Sequence, residues 1–136
     1  MSRMSEVKMT PLQEVIHAVG GVQHPFGLST RDYRALLIAQ LAAAGWTCRT
    51  RFKVDSRGTV DGYRGILDLV AHPPFAPGQI RLDDPVLIEI DGASIRRKTI
   101  AKLRAFPYTT AGKVVILLLA RAHPPVESID AVVCLG

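Results

Sequence analysis

Residues 85–106 read PVLIEIDGASIRRKTIAKLRAF, and this stretch decides the fold. Val86 to Ile90 is a short apolar run of the kind found in buried strands. Gly92 breaks it, and Ser94 can cap the next helix. Ile95, Thr99, Leu103 and Phe106 then recur at helical spacing until Pro107 stops the helix, so the spacing predicts a helix over 94–106. Inside the strand stands Glu89, with Asp91 two residues later. A carboxylate in such a run costs burial energy unless something pairs with it. The preceding strand carries the same anomaly, because GILDLVAH (65–72) sets Asp68 among apolar neighbours.

Upstream, Ser29 or Thr30 can cap a helix from about Arg31 to Ala44, with Tyr33, Leu36, Leu37, Leu41 and Ala44 on one apolar face and Gly45 at its end. Trp46 to Val54 reads as a strand, Asp55 to Gly58 as a turn, and Tyr63 to Ala71 as the strand carrying Asp68. A proline-rich loop over 72–85 leads into the strand carrying Glu89. Downstream, Lys113 to Leu119 is apolar on both faces and is expected to be central. Ile129 to Leu135 is the last strand. The order is α-β-β-β-α-β with one further strand, which makes an α/β domain over 29–136 with a mixed sheet between helices 31–44 and 94–106. Residues 1–28 read as an N-terminal extension with a short helix, Pro11 to Val19, capped by Thr10 and ended by Gly20 and Gly21.

A chain of 136 residues, 48% apolar, suits one domain with a modest core and excludes a disordered tail. The longest apolar run, Val114 to Ala120, is too short to span a bilayer. MSRMSEVKMT lacks the apolar centre of a signal peptide, so cytoplasmic residence without a membrane partner is the expectation. Cys48 and Cys134 lie in separate strands without metal-ligand spacing, which argues for buried thiols and against zinc. A net charge of +5 fits a polyanionic partner but does not by itself establish one.

Asp68 and Glu89 fall on successive strands. Side chains directly opposite each other across a hairpin stand roughly 5 Å apart at Cβ, close enough to share one cation. Mg²⁺ takes carboxylate, carbonyl and water oxygens, and the Ile90 carbonyl is a third candidate ligand. Such a cation activates water and neutralises charge on a phosphate, while a nearby basic residue adds to the stabilisation. The helix beginning near Ser94 supplies Arg96, Arg97, Lys98, Lys102 and Arg104. A solvated basic face is the ordinary reading of that run, yet its place directly after the acids favours phosphate contact. Arg49, Arg51 and Lys53 alternate on one strand face, where they either touch a nucleic-acid backbone or guard a sheet edge.

The element order, Asp68 on the second strand and E-x-D-G at 89–92 resemble the PD-(D/E)XK (restriction-endonuclease-like) nuclease superfamily. IEIDG followed by a basic helix is similar to its very-short-patch-repair-like branch. The resemblance covers residues 29–135. It implies a hydrolase: an endonuclease that cuts DNA with Mg²⁺ or Mn²⁺ held by Asp68, Glu89 and Ile90. It implies Asp68, Glu89, Asp91 and Lys98 as catalytic residues, and Arg96, Arg97, Lys98 and Lys102 as DNA-backbone contacts. The chain departs from the pattern in three places. Asp91 stands where the superfamily usually has lysine, so Lys98 on the following helix is the candidate replacement, with Lys102 on the same face. Asp91 is then left to bind a second metal or to accept a proton from water. The proline before the motif aspartate is absent from Ile66-Leu67-Asp68. A glutamate common on the first helix is also missing, with Asp32, Gln40 and the more distant Glu14 as polar candidates.

Each residue also has an ordinary reading. Asp68 alone suits a strand end paired with Arg64 or Arg96, Glu89 a solvent-facing edge strand, and Asp91-Gly92 a turn. His72 reads as structural. A domain this small has little surface for reading a long sequence, so the expectation is structure-directed cleavage or work within a larger assembly. A homodimer would bring two sites to two strands. The rival readings are a Holliday-junction-resolvase-type nuclease, and a degenerate domain that only binds nucleic acid or protein.

Overall fold

The computed structural model describes residues 8–22, 27–55, 64–80 and 83–136. The elements are α1 (Pro11–Gly21), α2 (Thr30–Ala43), β1 (Thr47–Arg49), β2 (Phe52–Asp55), β3 (Arg64–Leu67), β4 (Leu69–His72), β5 (Val86–Asp91), α3 (Arg97–Ala105), β6 (Gly112–Leu117) and β7 (Ala131–Cys134). A five-stranded mixed sheet runs in the order β1-β4-β5-β6-β7. The β1–β4 and β4–β5 pairs are antiparallel. The β5–β6 and β6–β7 pairs are parallel, and α3 is the crossover between β5 and β6. The fold is thus mixed α/β, as the sequence predicts.

Local chemistry accounts for the helix starts. Thr10 caps α1 with a reciprocal pair: its hydroxyl accepts from the Gln13 amide, and the Gln13 side chain accepts from the Thr10 amide. Of the two cap candidates for α2, Ser29 is the one used, its hydroxyl accepting from the Asp32 amide. Gly45 leaves α2 with φ 89°, a left-handed conformation that glycine adopts without penalty. Arg96 occupies the cap position of α3 and supplies no side-chain cap of its own.

Alternation along the sheet sorts the core into two layers. Ile88, Ile90, Val114 and Ile116 face α1 and α2, against Val15, Val19, Tyr33, Leu37 and Leu41. Leu87, Val115 and Leu117 face Leu103 and Phe106 at α3, with Val54 and Leu67. The same alternation along β5 gives Glu89 and Asp91 to the α3 side. α1, read from sequence as part of an extension, contributes fully buried side chains to the first layer.

The two strands predicted over 46–54 and 63–71 are each broken in two. Arg49 opposes Val70 and Phe52 opposes Leu67 in one continuous register, so the pieces belong to a single long hairpin interrupted at Thr50–Arg51 and at Asp68. Arg51 sits at φ 59°, an uncommon conformation for a residue with a side chain, and it marks the bend. Beyond it, β2 and β3 form a separate ribbon against α3, with the Phe52 and Phe106 rings 5.2 Å apart. Most of the predicted turn at 55–58 lies outside the described residues. The strand expected over 113–119 ends at Leu117, and Leu119 is exposed. Among the described residues no helix is long and apolar enough to cross a membrane.

The packing of α1 is testable. Val15 is fully buried and Ile16 is 37% exposed. Val15→Ala should cost about 2 kcal/mol of stability and Ile16→Ala less than about 0.5 kcal/mol, read from urea denaturation of the whole chain.

Candidate functional site

The break in the hairpin falls at Asp68, and carboxylates replace the interrupted ladder there. Leu69 opposes Ile88 in the β4–β5 register, which puts Asp68 opposite Glu89. The Asp68 amide donates to Glu89 Oε2 at 2.6 Å, and the Ile90 amide donates to Asp68 Oδ2 at 2.8 Å. Each acid thus satisfies a backbone N–H on the other's strand, which fixes both side chains without a third element.

Glu89 is fully buried. Burial, reinforced by the Asp68 charge opposite, pushes its carboxyl pKa up to about 8 against the opposing pull of Lys102. The Lys102 ammonium contacts Glu89 Oε1, and the lysine side chain is itself only 9% exposed. Lys102 reaches the site because Thr99, Lys102 and Leu103 form the face of α3 turned to the sheet. Lys98, the lysine singled out from sequence, is exposed one turn earlier. The lysine that meets the acids is Lys102.

Asp91 holds the start of α3. Its Oδ1 accepts from Arg96 Nε at 3.0 Å and Arg96 Nη2 at 2.7 Å. Its Oδ2 accepts from the Arg96 amide at 3.2 Å and the Thr99 hydroxyl at 2.8 Å. The start of α3 is therefore tied down by a strand-end carboxylate and not by Ser94, the cap the sequence assigns. Both Asp91 oxygens accept hydrogen bonds from that turn.

Arg34 was not legible as a site residue. It comes from α2 on the far face of the sheet and places Nη1 3.8 Å from Asp68 Oδ1. Arg34 thus takes the pairing that sequence assigned to Arg64 or Arg96. No signal in α2 marks it, because its role depends on where the start of the helix crosses the end of β5. The alternatives on the first helix do not join the acids. Asp32 lies in the first turn of α2, and Gln40 and Glu14 line a separate hollow beside Trp46. His72 is at the other end of β4, where burial and the Arg49 charge lower its pKa.

Asp68, Asp91 and Arg34, but neither Glu89 nor Lys102, border an open cleft of about 460 Å³ at the carboxyl end of β5, between the first turns of α2 and α3. Arg31, Arg34, Asp68, Ile90, Gly92 and Arg96 line it. Ligand sites in open α/β sheets lie at such strand ends. Among the described residues no group of three or more His, Cys, Asp and Glu side chains is placed to hold a metal ion. The pair Asp68 and Glu89 nevertheless suits a hard cation. Two carboxylates repel each other across one strand pair, a dication would remove the repulsion, and Mg²⁺ ordinarily completes its shell with carbonyl and water oxygens. Arg97 and Lys98 are exposed, whereas Arg96 and Lys102 are engaged with Asp91 and Glu89. The basic helix is therefore divided between an outer face and the site.

Compared with protein-family profiles, curated proteins and solved structures, the chain has no significant match to any.

The raised Glu89 pKa fixes a pH dependence. The folded protein retains a proton on Glu89 up to about pH 8, while the ordinary glutamate value is 4.5. The folded state binds more protons between those values, so metal-free stability should fall as pH rises through that window. Glu89→Gln should flatten the slope in denaturation curves taken from pH 5 to 8.5. Asp91→Asn should cost about 2 kcal/mol by weakening the start of α3, seen in the same denaturation assay at pH 7.

Proposed function

We propose that the chain is a divalent-metal-dependent phosphodiester hydrolase acting on DNA, built on a restriction-endonuclease-like core. The observation that carries this reading is the constellation of half-buried Asp68 with buried Glu89 and Lys102 on adjacent strands and the crossover helix. A purely structural role accounts for it poorly. A strand-end Asp needs no buried Glu opposite, and a buried Glu–Lys pair gains little stability over apolar side chains of similar size. A carboxylate with a raised pKa beside a second acid, a lysine and an open basic cleft is an ordinary making of a hydrolytic site. The element order, with an antiparallel β-meander followed by a crossover helix to a parallel strand, supports the same reading.

In this reading Asp68 and Glu89, with the Ile90 carbonyl, hold Mg²⁺ or Mn²⁺. When bound, the cation supplies Lewis acidity and neutralises charge that develops on the attacked phosphate. The chain's own residues do the rest. The Ile90 amide keeps Asp68 Oδ2 fixed, so Oδ1 faces the cleft. The Asp68 amide fixes Glu89 in the same way. Lys102 brings a positive charge to Glu89 Oε1 and fills the role of the missing motif lysine, orienting the attacking water or stabilising charge on phosphorus. Asp91 acts on α3, and through it on the position of Lys102. The outer basic face, including Arg97 and Lys98, is left for longer-range attraction to the polyanion.

A panel of linear, single-stranded, flapped and four-way-junction DNA, incubated with Mg²⁺ or Mn²⁺, tests the proposal. Cleavage that disappears with EDTA, Asp68→Asn and Glu89→Gln is the expected result. Lys102→Met should lower the single-turnover rate by about a hundredfold. The same substitution at Lys98 separates the two lysines, since loss there and not at position 102 would return the role to Lys98. Tight binding without cutting by any protein of the set would mark a degenerate binding domain.

A further inference from the structure

Helix starts carry partial positive charge, and acidic side chains are the residues that stabilise them. Around the cleft arginines gather at two helix starts, beside Asp32 in the first turn of α2 and Asp91 at the start of α3. Arg31 and Arg34 lie in the first turns of α2, and Arg96 and Arg97 stand at the start of α3. α3 has no acidic residue in its first turn. Three of these arginines, Arg31, Arg34 and Arg96, line the one cleft, against the two carboxylates Asp68 and Asp91. Asp91 is wholly occupied by Arg96 and Thr99. Arg34 is only loosely paired: its 3.8 Å approach to Asp68 Oδ1 is longer than a direct hydrogen bond, and its side chain is 35% exposed. Arg31 is exposed one helical turn away on the same side of α2. Asp91 accounts for Arg96 and Asp68 in part for Arg34, but Arg31 and the loosely held Arg34 leave the cleft lining with more positive than negative side chains, which suits a bound anion.

From this arrangement we infer that the cleft is a phosphodiester clamp, in which Arg31 and Arg34 of α2 grip backbone phosphates of a nucleic acid on the side of Asp68 opposite Lys102. The inference rests on the hydrolytic reading for its substrate class and adds which surface the strand follows. The backbone runs across the end of the sheet, between the starts of α2 and α3, and not along the outer face of α3 where Arg97 and Arg104 lie. Arg34 has a second role. It faces Asp68 Oδ1, and a cation held by Asp68 would compete for that oxygen and free the guanidinium for phosphate. Asp91 holds Arg96 in a fixed bidentate geometry, which makes Arg96 the rigid wall of the clamp and Arg34 its movable side.

The test is binding in Ca²⁺, with duplex DNA, single-stranded DNA and duplex RNA as separate arms, followed by fluorescence anisotropy over a salt series. Arg31→Gln/Arg34→Gln should weaken the preferred nucleic acid at least about tenfold and reduce the salt slope by about 2. Arg34→Lys should recover part of the Arg34→Gln loss. Arg104→Gln on the outer face should change affinity less than about twofold. Without nucleic acid, Arg34→Gln should bind Mn²⁺ about threefold more tightly by calorimetry, because a competing cation is gone. Wild-type affinity and salt slope in the double variant overturn the clamp, as does a wild-type protein that binds none of the three probes. Unchanged Mn²⁺ affinity in Arg34→Gln overturns the second role of Arg34. A wild-type protein that binds through Arg31 and Arg34 but never cuts in Mg²⁺ or Mn²⁺ leaves the clamp standing and removes the hydrolytic reading.

Discussion

The exchange of backbone hydrogen bonds between Asp68 and Glu89 is the constraint on which the rest of the molecule depends. A long antiparallel hairpin cannot both stay in the main sheet and cover α3. It bends where Arg51 enters the left-handed region, and the ladder is interrupted. Buried N–H groups left without partners at such a break would be costly. Asp68 takes the Ile90 amide and Glu89 takes the Asp68 amide, so the interruption is satisfied by two carboxylates brought face to face. The bend that shapes the fold is thus the bend that assembles the acids.

Bringing them together is unfavourable in itself. Glu89 lies in the apolar layer beneath α3 with a second acid opposite, and its pKa rises accordingly. Lys102 offsets part of that cost, but a buried ion pair seldom repays its own desolvation. The arrangement therefore adds little to stability, in keeping with the proposed function. Its precision depends on α3, whose start is fixed by Asp91 on the same strand as Glu89. The two acids of E-x-D therefore divide the work: Glu89 faces Asp68 and Lys102 within the sheet–helix layer, and Asp91 sets the helix that carries the lysine.

Much of this was legible in advance. The order of elements, the two-sided burial of β5 and β6, and the opposition of Asp68 and Glu89 follow from hydrophobic spacing and from acids set in apolar strands, whereas the search for a helix-borne lysine rests on the family resemblance. The choice between Lys98 and Lys102 was not legible. Both lie on one side of a helix one turn apart, and only the rotation of α3 against Leu87 and Leu117 puts Lys102 over Glu89. Ser94 satisfied the rules for a cap, but the carboxylate of Asp91 reaches the same turn from the strand with a stronger, charged acceptor. From sequence α1 reads only as part of an extension, because a short helix ending in two glycines carries little information. Its apolar side chains acquire meaning only against α2 and the sheet.

The sequence by itself determined the mixed α/β class and named the strands whose acids stand out, because period and burial are properties of neighbouring residues. The tertiary structure alone decided that one hairpin is bent at Asp68, that Asp91 serves α3, and that Arg34 reaches an acid from across the sheet. Those outcomes depend on contacts between residues far apart in the chain. Such contacts are set by the relative rotation and crossing of whole elements, which no local pattern of side chains encodes.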